Sequence, residues 1–117
     1  MTRQIEIAGK SGTRYRYTAL DQDRLLPPAG ANFILARTSG EGVEVLFAGE
    51  TDSLSGATWR QPLEEARSRF GDDVDILTRL NVRSAVRRDE LEDVVEEHHP
   101  PMNARRRDEP PEVQAEA

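Results

Sequence analysis

The chain has 117 residues, 36% hydrophobic and 32% charged, enough for one small core. It has no cysteine, which excludes disulfides and thiolate metal sites. Sixteen Lys and Arg face twenty-two Asp and Glu, and the net charge of −6 argues against binding by general phosphate attraction.

No apolar run approaches the length of a membrane span. The opening MTRQIEIAGKSG carries charges where a leader would carry an apolar stretch. The expectation is a cytoplasmic chain with no membrane partner. Charge is unevenly spread: positions 1–24 hold five bases against three acids, while DELEDVVEE at 89–97 holds six acids and no base.

In chain order, RQIEIAGKSGTRYRYTAL (3–20) reads as a hairpin. Ile5 and Ile7 alternate with polar residues, as do Tyr15 and Tyr17 after the turn Gly9-Lys10-Ser11-Gly12. The Gly-Lys-Ser triplet resembles part of a phosphate-binding loop. However, Gln4 stands where that motif needs its first glycine, and a strand rather than a helix follows. DQDRLLPPAG (21–30) is a connector. ANFILAR (31–37) and VEVLFAG (43–49) are strands joined by the turn TSGEG (38–42), and they should pair antiparallel.

TWRQPLEEARSRF (58–70) reads as a helix with Pro62 in its first turn and Gly71 as its stop. Leu63, Ala66 and Phe70 share one face, and Trp59 is a candidate core anchor. DVDILTRL (73–80) is a strand with Val74, Ile76, Thr78 and Leu80 on one side. SAVRRDELEDVVEEH (84–98) is the last helix, with Ser84 as its cap and Leu91, Val94, Val95 and His98 on one face. From Asn103 the chain is polar, rich in Pro and Glu, and aperiodic. The expected organisation is one domain over 1–102 and a disordered tail over 103–117. The expected class is α+β: a small mixed or antiparallel sheet with an N-terminal hairpin and a β-β-α-β-α core.

His98 and His99 point about 100° apart on a helix and make a poor chelating pair, so they read as helix-end histidines. Asp72, Asp73 and Asp75 read as a solvated turn rather than a calcium loop. The window RLNVRSAVRR holds Arg79, Arg83, Arg87 and Arg88. These arginines form either a patch for nucleic acid or another partner, or partners for the acids at 89–97, as in the pair Arg88 and Glu92.

The pieces GANFIL (30–35), VLFAGETDSL (45–54), VDILTRL (74–80) and LEDVVEEHHPPMN (91–103) occur in the order found in the GIY-YIG nuclease superfamily. Residues 30–103 resemble a degenerate member of it. The resemblance implies two tyrosines, an arginine and a metal-holding glutamate. Carried over by position, the first tyrosine falls on Asn32, or on Phe33 if the strand slips by one. The second falls on Phe47, and the motif glycine is kept as Gly49. The arginine falls on Ala57 and the glutamate on Leu91. Glu90, beside Leu91, and Arg60 are the possible substitutes.

Three functions follow. The first is a catalytically degenerate GIY-YIG-like module that binds an unknown protein or nucleic acid, with no cofactor. The alternative is a Mg- or Mn-dependent DNA endonuclease with relocated catalytic residues. The third is a structural subunit whose partner covers the edge of the N-terminal hairpin.

Overall fold

The structure is a computed structural model and describes residues 4–20, 26–39 and 42–103. The alternating N-terminal segment forms the expected hairpin. β1 (Gln4–Ala8) and β2 (Arg14–Ala19) run antiparallel with Ile7 opposite Tyr15. β3 (Ala31–Ser39) and β4 (Gly42–Thr51) also pair antiparallel, each longer than its apolar run alone suggests. β5 (Asp75–Leu80) enters between the two pairs, meeting β2 at Thr18 and Ala19 and β3 from Ala31 to Ala36.

The five-stranded sheet has the order β1-β2-β5-β3-β4 and is antiparallel throughout. β5 takes the far side of β2 only at Thr18 and Ala19, and β1, the other hairpin strand, is an outer strand of the sheet with β4.

Both faces of the sheet are covered. α1 (Arg60–Phe70) lies over Phe33, Leu35 and Ile76, while α2 (Ser84–His98) lies over Ile34, Ala36 and Leu77. This is why six consecutive β3 residues, Ala31 to Ala36, are all buried and show no polar alternation. Trp59 is the core anchor that its position suggested. It is fully buried, and its indole N–H donates to the Leu54 carbonyl at 3.2 Å. In β4 the register shifts after Leu35, so that Leu46 and Phe47 both join the α1-side core.

Two helix starts differ from expectation. α1 begins at Arg60 rather than Thr58, because a 3-10 turn (Leu54–Gly56) and the left-handed residue Ala57 (φ 57°) come first. Ser84 does not cap α2. Arg83 holds that position in an extended conformation, and Ser84 is already helical. A last helical turn, 101–103, follows Pro100, and the expected tail beyond it, 104–117, lies outside the described residues.

The hairpin turn is fastened to α2. Ser11 donates to the Asp93 carboxylate through its backbone N–H (2.9 Å) and its hydroxyl (2.7 Å), and the Tyr15 hydroxyl donates to it at 2.6 Å. The Lys10 N–H donates to the Asp93 carbonyl at 3.0 Å. A side chain at Gly9 would run into the same carboxylate. The Gly-Lys-Ser backbone donors are thus engaged within the chain, Gly9 by the Thr13 carbonyl, Lys10 by the Asp93 carbonyl and Ser11 by the Asp93 carboxylate. Near the end of α2, His98 Nε2 lies 2.8 Å from the Ala8 carbonyl.

The Tyr15 and Ser11 hydrogen bonds hold the Asp93 carboxyl below its ordinary pKa. A depressed carboxylate contributes stability above its unfolded pKa and loses it as pH falls through the folded one. Asp93→Asn is therefore expected to melt lower than the wild type at neutral pH. The gap should close as pH drops below about 4, measured by thermal unfolding across a pH series.

Candidate functional site at the outer edge of β4

A groove of about 520 Å3 follows β4 where the strand runs between the two helices. Phe47, Gly49 and Glu50 supply its floor, Pro62 and Glu65 one wall, and Leu91 the other. Gly49 is required here, because a Cβ would strike the rings of Phe33 and Phe47, whose centroids are 5.9 Å apart. Glu65 lies 3.7 Å from Arg69 along α1.

Asn103 closes one end of the groove. Its side-chain oxygen accepts from the Ala48 N–H at 2.7 Å, and its amide donates to the Ala48 carbonyl at 2.9 Å. The side chain pairs with the outer strand as a neighbouring strand would, which blocks that stretch of edge. The first residue of the expected tail is thus fixed to the sheet.

Behind the groove is a buried polar node. The Arg87 side chain is only 4% exposed, and its Nε donates to Glu50 at 2.6 Å. Its Nη1 donates to the Asn81 and Val82 carbonyls at 2.9 Å, and its Nη2 to Asp52 at 2.7 Å. Asn32, also fully buried, donates to the Arg87 carbonyl at 3.0 Å and accepts from the Asn81 amide at 2.9 Å. Gly30 leaves room for the guanidinium, which a Cβ would meet.

Of the four positions that the resemblance singled out, Phe47 and Leu91 face this one groove. Asn32 lies in the polar node, and Ala57 packs against the α1-side core. Neither substitute comes to the groove wall. Arg60 stacks on Trp59 at 4.9 Å, and Glu90 pairs with Arg79 at 2.9 Å on the β2 side. The arginine window also divides: Arg79 and Arg87 are held by acids, while Arg83 and Arg88 are exposed. The ion pairs of Arg79 and Arg87 join different elements rather than successive turns of one helix.

Two carboxylates, Glu50 and Glu65, line the groove, paired with Arg87 and Arg69; Leu91, the position to which the resemblance carries a glutamate, is hydrocarbon. Among the described residues no three His, Cys, Asp or Glu converge to hold a metal ion.

A second cluster was missed in the sequence. Tyr15, Tyr17, Arg79, Glu90 and Asp93 come together where α2 crosses β2, with Arg79 over the Tyr15 ring at 5.5 Å. A depression of about 270 Å3 beside it is lined by Asp89, Glu92 and Glu96. Burial, then Asp93, pushes the Tyr15 phenol up, and burial pushes Tyr17 much further. Glu90 raises the Arg79 guanidinium by hydrogen bonding to it. Neutral phenols, a paired arginine and an acidic rim suit structural anchoring rather than phosphate chemistry. The signal available in the sequence was the alternation of Tyr15 and Tyr17, which gives a strand face and not its partner.

Comparison with protein-family models, curated proteins and solved structures yields no match. Among the described residues no helix is long and apolar enough to cross a membrane.

Arg87→Ala, which leaves two loop carbonyls and the part-exposed Glu50 without their cation, is expected to cost about 2–4 kcal/mol in urea unfolding. Asp52→Ala, at a side chain 94% exposed, should cost at most about 1 kcal/mol. Asn103→Ala should lose about 1–3 kcal/mol and increase self-association through the uncovered strand, read by unfolding and light scattering.

Proposed function

We propose that the chain is a non-catalytic binding module on a degenerate GIY-YIG-like scaffold. The observation that carries the reading is the pairing of Phe47 and Leu91 in one groove. Under the resemblance these positions would bear a tyrosine hydroxyl and a metal-holding carboxylate. Hydrocarbon at both keeps the packing and removes the proton relay and the cation anchor. Glu50, the neighbouring strand carboxylate, is committed to Arg87. Function resides in a site rather than a fold, so the scaffold alone confers no cleavage.

The partner class favoured by this reading is protein. Two of the four window arginines are neutralised internally, which leaves few cations to meet a phosphate backbone. The endonuclease reading would have to move its chemistry to Tyr15, Tyr17, Arg79 and Glu90, where the raised phenols and the Arg79–Glu90 pair work against it.

The test is incubation of the purified chain with linear and branched DNA in Mg2+ or Mn2+. No cleavage is expected. Cleavage that tracks the chain through successive purification steps overturns the reading.

A further inference from the structure

Among the described residues, the charged side chains that line the β4 groove are both acids, Glu50 and Glu65, and its floor includes the ring of Phe47. The pairs already made do not cancel that charge. Arg87 is one cation facing two carboxylates, Glu50 and Asp52, and Arg69 meets Glu65 only at 3.7 Å. An aromatic ring beside a carboxylate is a seat for a guanidinium, which stacks on the first and donates to the second. The chain builds this seat twice elsewhere. Arg37 lies 5.7 Å from the Phe70 ring and donates to Glu44 at 2.6 Å. Arg79 lies 5.5 Å from the Tyr15 ring and donates to Glu90 at 2.9 Å. The groove holds the same parts.

Asn103 decides what lies within reach. Its side chain is fastened to Ala48, on the strand that floors the groove. The sequence continues from it as Ala104-Arg105-Arg106-Arg107. Glu50 stands two residues beyond Ala48 on β4, and two residues of chain span up to about 7 Å before the length of an arginine side chain is added. So short a tether gives the three cations an effective concentration of roughly millimolar at the groove. Asp108 and Glu109, which follow, carry the groove's own sign. We infer that the groove is the docking site of the chain's own segment 105–107, with a guanidinium seated against Phe47 and a groove carboxylate. Any other occupant then has to displace that segment. The inference does not depend on the loss of nuclease chemistry: cleavage of DNA would remove the earlier reading and leave this one in place.

The test compares the full chain with a full-length variant carrying Arg105→Ser, Arg106→Ser and Arg107→Ser. In 15N–1H correlation spectra the amides of Gly49, Glu50 and Glu65 are expected to differ between the two, while those of the hairpin turn coincide. Salt at about 0.5 M should move the wild-type groove amides the same way, an arm that needs no variant. A fluorescein-labelled peptide of residues 104–109 should bind the variant about tenfold more tightly than the wild type, whose own segment competes with it. Glu65→Gln, or Glu50→Gln, which keeps an oxygen for Arg87, should weaken the peptide severalfold when placed in the variant. Groove amides that stay fixed in both arms overturn the inference, as does equal peptide binding to wild type and variant, or peptide binding that neither glutamine weakens. Amide differences that grow with protein concentration also overturn it, by assigning the segment to a second copy of the chain.

Discussion

The buried guanidinium of Arg87 is the constraint on which the arrangement of the chain depends. Removing a charge from water costs several kcal/mol unless acceptors replace the solvent. Here Glu50, Asp52 and two loop carbonyls do so, and they come from the end of β4, the segment after it, and the link between β5 and α2. Asn32 then ties the start of β3 to the same residue through its backbone carbonyl. The Arg87 side chain holds the start of α2 on the sheet, while Val94 and Val95 in the core, Asp93 and His98 hold the rest. That placement turns Leu91 into the groove, Glu90 toward Arg79, and Asp93 onto the hairpin turn.

The elements themselves were legible because each obeyed a local rule. Alternation gave the hairpin, continuous apolar character gave β3 and β4, and Pro62 and Gly71 bracketed α1 within two residues. What the sequence hid were relations between distant positions. Arg87 read as one of four surface arginines, because helical spacing shows which residues share a face and not what that face meets. Asn103 read as tail, because nothing in its neighbours reveals a strand edge 55 residues earlier in the chain. The junction of β2 with β5 was hidden, because β5 lies beyond two other strands and α1.

The groove positions show the same division. Gly49 was matched to the motif glycine, and its backbone lies under two aromatic rings that leave no room for a methyl group. Phe47 and Leu91 were matched separately on a strand and a helix, and they meet across one cleft. The Tyr15 cluster had no such guide. Its members come from β2, β5 and α2, and only the strand order brings them together.

β5 is both the central joint of the sheet and its last strand to be made. While the chain emerges from the ribosome, the first four strands can form only two separate ribbons, each marginal in water. Neither can join the other until residues 75–80 arrive, and β4 keeps an uncapped flank until Asn103 follows. In the interval between β4 and β5 both ribbons therefore carry unpaired backbone, the condition under which strands find wrong partners, and the arrival of residues 75–80 ends it by joining them.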